Sequence, residues 1–226
     1  MPIVLTDQTV LRRVPQQRRS REKLERVLDA ADEVLASEGA AALSMARVAE
    51  RAGVAVGSIY AYLPDKQSLV EALALAYWTG FSERIEAVVE GEAENPAAEP
   101  VELILSSLAD GYRSNPGFMA LWYGGLRNEA VRDATRAIRD RVACAIDLLL
   151  IRRYPEAGDP TERTAVADTL VVLGDGLLRE AFRRDPGGDP VVLAEGRRAL
   201  TAYLNSHYSL LADRSPETEG AENGRT

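Results

Sequence analysis

From Ser20 onward the apolar residues Leu24, Val27, Leu28, Ala31, Val34 and Leu35 return every three or four positions. That period places them on one face of a helix, which Gly39 should end. Ser44 can accept from the free N–H groups of a second, shorter helix whose inner face is Val48, Ala49 and Ala52, and Gly53 supplies a left-handed stop. A third helix is expected over residues 56–62, with Val54, Ile59 and Leu63 facing inward and Pro64 marking its end. Leu69, Val70, Leu73, Tyr77, Phe81, Ile85 and Val89 then carry a long fourth helix that starts around Asp65 and joins two domains. Residues 91–100, GEAENPAAEP, read as a loop, and further helices are expected over 101–114, 116–123, 127–154, 160–184 and 190–212. No strand-length alternation of β-branched residues interrupts them, so the fold class is all-α.

These periods predict four segments: a flexible basic arm (1–19), a three-helix helix-turn-helix domain (20–66), a larger helical domain (67–212), to which the family resemblance described below assigns ligand binding and dimerisation, and a disordered polar tail (213–226). At 226 residues the chain is long enough for a real core in each domain. The net charge of −8 looks unsuited to a partner rich in phosphate until it is divided. Residues 1–68 hold 10 basic and 9 acidic side chains, and residues 69–226 hold 17 and 26. Arg12, Arg13, Arg18, Arg19, Arg21, Lys23 and Arg26 crowd the first helix and the arm, so positive charge collects at the helix-turn-helix end. A single cysteine, Cys144, and a single histidine, His207, exclude a disulfide framework and a Cys/His zinc site within one chain. Cys144 is expected to be a buried structural thiol and His207 a surface residue. No cofactor is implied. No apolar run approaches the length of a membrane span, which makes a cytoplasmic protein the expectation.

The words AGVAVGSIYAYLPDK, from Ala52 to Lys66, carry the most specific signal. They resemble the signature of TetR-family transcriptional regulators, with Gly53, Val54, Gly57, Tyr60, Tyr62 and Lys66 at the family's spacing. The resemblance covers roughly residues 20–70. It implies a helix-turn-helix that contacts double-stranded operator DNA, with Ser44, Arg47, Tyr60, Tyr62 and Lys66 at the phosphates and Val56, Gly57, Ser58 and Ala61 toward the groove. Free N–H groups at the start of the fourth helix should add to the phosphate contacts. Three positions depart from the pattern: Ala55 stands for the usual Ser, Ser58 for Thr and Leu63 for Phe. The first removes a hydroxyl that would cap the recognition helix, and lower DNA affinity is expected from it. Because Val56 and Ala61 are apolar, base preference should rest on thymine methyl groups, on Arg47 and on DNA shape.

Beyond residue 70 the resemblance implies an effector pocket among the helices and a homodimer docked through the last two of them. Tyr77, Trp78, Phe81, Tyr112, Phe118, Met119, Trp122, Tyr123 and Phe182 form an aromatic and methionine group, each member of which alone also reads as ordinary core. Four of the chain's 13 aromatics lie between positions 112 and 123, which favours a cavity wall. The expected ligand-binding set is therefore Trp78, Phe81, Tyr112, Phe118, Met119, Trp122 and Tyr123 with Leu173 and Leu177, for a mainly apolar small molecule. Asp110, Asp168 and Asp175 are candidates for a cationic group on that molecule. The expected dimer set is Leu178, Phe182, Leu200, Tyr203 and Leu204, with Gly174 and Gly176 allowing close helix approach. No nucleophile, base and orienting group converge, so no enzyme is expected. The function so read is a ligand-released repressor. The alternative is a ligand-binding or partner-binding protein on the same fold without specific operator recognition.

Overall fold

The computed structural model describes residues 11, 17–94, 99–126, 129–155 and 159–212. Most of the basic arm and all of the 213–226 tail lie outside them. Among the described residues the chain is helical with no strand, in the order α1 (Arg18–Glu38), α2 (Met45–Ala52), α3 (Val56–Tyr60), α4 (Lys66–Glu94), α5 (Pro100–Ser114), α6 (Gly117–Tyr123), α7 (Glu129–Arg153), α8 (Pro160–Arg184) and α9 (Pro190–Ala212).

Local chemistry explains most of these boundaries. Gly39 and Gly53 take positive φ of 80° and 64° at the ends of α1 and α2, a region that costs other residues a clash at Cβ. Asp159 caps α8 by accepting from the Thr161 amide at 3.0 Å, and Pro160 and Pro190 open α8 and α9, where a missing N–H costs nothing. Three expectations need correction. The helix α1 starts two residues early, at Arg18, whose Nε bonds Glu22 one turn on at 2.6 Å. The loop expected from residue 91 begins later, because α4 runs through Gly91 to Glu94; one exposed glycine costs a helix only about 1 kcal/mol amid good helix formers. The helix α3 stops at Tyr60, and the Tyr62 and Leu63 amides both close on the Ile59 carbonyl at 2.9 Å before Pro64.

A single buried core runs from α1 through α4 into α6 and α8, and a smaller cluster of Ile85, Val89, Ala145 and Leu149 ties the far half of α4 to α7. The helix α4 packs along α7 and α5, α7 along α8, and α8 along α9, while α6 lies against α1. Among the described residues the helix-turn-helix unit packs on the larger domain through contacts of α1 with α4 and α6. Cys144 is exposed, not buried: on α7 its neighbours Ala143, Ala145 and Ile146 take the covered positions.

Candidate nucleic-acid interface and internal cavity

The turn from α2 to α3 is built as the caps predict. The Ser44 hydroxyl accepts from the Arg47 amide at 3.2 Å, and the Gly53 and Val54 amides bond back to Glu50 and Ala49 at 3.2 and 3.0 Å. Ile59 and Leu63 are fully buried under α3, each contributing roughly 1.5–3 kcal/mol by removal from water. That anchoring turns the opposite face outward. Ala55, Gly57, Tyr60 and Ala61 are exposed, with Val56, Ser58, Tyr62 and Lys66 half-buried beside them. Ala55 stands at the N-cap of α3 with no side-chain bond. The first turn of α4 differs from expectation, because Asp65 itself accepts from the Ser68 amide at 2.7 Å and the Ser68 hydroxyl at 2.8 Å. These bonds hold the Asp65 carboxyl below its usual range, and they use a donor the sequence had left for phosphate.

Arg47 is also placed differently. Its guanidinium grips Glu38 of α1 through Nε and Nη2, each at 2.9 Å, and Glu50 through Nη1 at 2.6 Å. Arg51 joins the same Glu38 at 2.7 Å and Glu33 at 3.3 Å. Hydrogen bonds from Arg47 pull the Glu38 carboxyl below its usual range. The cluster fastens α2 to α1, so Arg47 bridges two helices where the sequence had offered it to DNA.

At the α1–α6 contact sits a polar joint that no sequence motif announced. Asp32 is buried on α1, accepting from the Tyr77 hydroxyl of α4 at 2.5 Å and the Gly117 amide of α6 at 2.9 Å. Burial pushes its carboxyl above the usual range and the two hydrogen bonds pull it back in part. Burial also pushes the Tyr77 phenol well up. A Cβ on Gly117 would lie 2.5 Å from the Asp32 carbonyl oxygen, so only glycine fits. The one signal in the sequence was an aspartate on the apolar face of α1.

Between α4, α5, α7, α8 and α9 lies a partly open cavity. Trp78, Phe81 and Tyr112 line it as expected, together with Leu105, Ile146, Leu150 and Val171. Six expected wall residues do not. Phe118 and Trp122 sit behind the wall in an aromatic stack, with Phe118 5.2 Å from Phe81 and 5.0 Å from Tyr112, because α6 lies on the α1 side of α4. Met119 packs half-buried on the same helix, and Tyr123 is 57% exposed. Leu173 is 41% exposed on the outer side of α8, and Leu177 packs toward Gly196 of α9.

The expected dimer set is likewise redistributed. Leu178, Leu200 and Leu204 line the cavity from inside, Phe182 stacks on Tyr112 at 4.7 Å, and Tyr203 is half-buried. The outward apolar positions are instead Val172 and Leu173 on α8 and Val191 on α9, beside exposed Gly176, Ala199 and Ala202. Of the three aspartates, Asp110 pairs at the surface with Arg113 at 2.8 Å and Asp168 is exposed. Asp175 lies on the cavity wall, 3.0 Å from Arg179 and 3.6 Å from Arg139. Burial, then Asp175, pushes the Tyr112 phenol up.

Comparison with known proteins adds two matches to family models. Residues 27–73 match the bacterial regulatory proteins of the tetR family, and residues 96–204 match the tetracyclin repressor-like C-terminal domain. The HTH-type transcriptional repressor KstR of Rhodococcus jostii (strain RHA1) is 32% identical over 152 residues, 66% of this chain and 68% of that one. The nucleoid occlusion factor SlmA of Vibrio vulnificus (strain YJ016) is 26% identical over 167 residues, 71% of this chain and 84% of that one. Among solved structures, a TetR-family transcriptional regulator from Streptomyces coelicolor superposes with a TM-score of 0.62 at 28% identity, covering 82% of this chain and 99% of that one.

Proposed function

The chain belongs to the TetR family of DNA-binding bacterial regulatory proteins, and from that membership we propose that it is a homodimeric repressor released from its operator by a mainly apolar small molecule. The observation that carries the DNA-binding half is the outward face of α3. Gly57 lets the backbone approach a groove, Tyr60 and Ala61 flank it, and Lys66 stands at the next helix start with no ion pair among the described residues. The cavity supports the effector half, since its wall is almost wholly apolar and α4, which lines it through Trp78 and Phe81, begins beside the DNA-facing turn. The repressor reading follows KstR, whose name describes that action. A regulator of this kind acts on the chromosome, in the cytoplasm, by binding and not by catalysis.

Gel shift with the DNA upstream of its own gene tests the reading. A discrete complex, competed by the same fragment at far lower excess than by random DNA, is expected. Binding that random DNA competes equally would leave the alternative of a ligand-binding or partner-binding protein without operator recognition.

A further inference from the structure

We propose that the effector is an elongated amphipathic anion, with an apolar body along α7 and a negatively charged group on Arg139. This rests on the effector reading above and sharpens it.

Three observations carry it. First, the cavity is long. Its α7 wall runs from Arg139 through Val142, Ile146 and Leu149 to Arg153, and 14 residues of helix span roughly 21 Å. Second, the charged residues of its lining are Arg139, Arg153 and Asp175, and Arg153 has a partner of its own, which leaves Arg139 beside the one carboxylate. Third, that carboxylate is already committed. Arg179 holds Asp175 Oδ2 at 3.0 Å and bonds the Asp175 carbonyl through Nε at 3.3 Å, while its own guanidinium lies 5.3 Å over the Trp122 ring. Arg139 is left with a 3.6 Å charge contact, beyond hydrogen-bond distance, and no hydrogen bond among the described residues engages its five donors. Its side chain is 37% exposed, so the group it would hold lies toward the open mouth while the apolar body lies inside.

A planar guanidinium with free donors beside low-dielectric walls suits a carboxylate or phosphate, which it can bond bidentately. A cation on the ligand would meet Arg139 and an aspartate that Arg179 already holds. The expectation that Asp175 recruits a cation is therefore reversed.

The experiment titrates the full-length protein with dodecanoate, 1-dodecanol and dodecyltrimethylammonium, the ions below their micellar concentrations and the alcohol below its solubility limit, and reads quenching of the fluorescence to which Trp78 of the wall contributes. Dodecanoate should bind at least tenfold more tightly than dodecanol, and the cation most weakly. Arg139→Gln should erase the difference between dodecanoate and dodecanol and leave dodecanol binding unchanged. Asp175→Asn, which removes the competing carboxylate, should tighten dodecanoate binding severalfold. Gly174→Phe, whose added side chain projects into the cavity past Leu200, should block all three. Circular dichroism melts confirm that each variant folds. If dodecanol matches dodecanoate, or the preference survives Arg139→Gln while Gly174→Phe still blocks binding, the cavity stands and the anion assignment is overturned. If no amphiphile binds, or Gly174→Phe changes nothing, the cavity reading is overturned with it.

Discussion

Lys66 opens α4 half-buried beside the outward face of α3, and the proposed DNA contact sets its ammonium against a phosphate at the helix start. Lys66→Ala should weaken binding to operator and to random DNA alike. Each lost phosphate contact lowers the slope of log affinity against log salt by roughly 0.9, which fluorescence anisotropy between low and moderate salt can read. An unchanged slope would remove Lys66 from the phosphate set. A second residue offers a test free of DNA. Among the described residues the Tyr208 hydroxyl is buried without a hydrogen-bond partner, while its ring lies flat on Tyr154 at 4.6 Å and 9°. An unpaired buried donor costs about 1–3 kcal/mol, so Tyr208→Phe should hold or raise the melting temperature; a fall would mean the hydroxyl finds a partner in solution. The caps at Ser44 and Gly53 were legible because their chemistry is local. The pairing of Arg47 was not legible because its partner Glu38 lies nine residues away on another helix, and no spacing rule reaches that far.

At the scale of elements, the period of apolar residues located the helices but not which apolar face meets what. On α8, Leu173 and Leu178 look equivalent in sequence, yet Leu178 lines the cavity and Leu173 faces out, because both faces of the helix are apolar and only packing against α7 and α9 decides between them. The sequence shows the short α6 as a helix but not that its aromatics Phe118 and Trp122 stack behind the cavity wall. What α6 does instead is join α1, through the Gly117 amide on Asp32. That joint predicts a pH effect with a definite sign. Because the folded Asp32 carboxyl titrates above its unfolded value of about 3.9, the wild type carries a penalty above the folded value that fades as pH falls toward the unfolded one. Asn keeps an acceptor for Tyr77 and Gly117 and never ionises. Asp32→Asn should thus be more stable than wild type at neutral pH, with the gap closing as pH approaches 4. Thermal melts of both proteins across that range check it, and a gap that widens on acidification would mean the carboxylate is stabilised in place.

For the whole molecule, the proposed homodimeric repressor carries one requirement, that two recognition helices be held at a fixed separation. Two half-sites one helical turn apart lie about 34 Å from each other, farther than a single five-residue α3 can reach, so a second copy must supply the other. The structure leaves a face for that copy. Val172 is 56% exposed, Leu173 41% and Val191 68%, and the exposed Gly176, Ala199 and Ala202 around them keep side chains short enough for helices to approach. Leu200 and Phe182, by contrast, face their own core. A charge at the two kinds of position should therefore act in different ways. Leu173→Arg should leave the melting curve of the protomer nearly unchanged, turn a micromolar dimer into a monomer by sedimentation, and cost on the order of 10²–10⁴ in operator affinity through lost linkage of the two half-sites. Leu200→Arg should instead unfold the chain, because an unpaired charge would enter an apolar wall at a cost of several kcal/mol. If Leu173→Arg remained dimeric while Leu200→Arg folded as a monomer, the outer and inner faces of α8 and α9 would have to be exchanged, and the cavity with them.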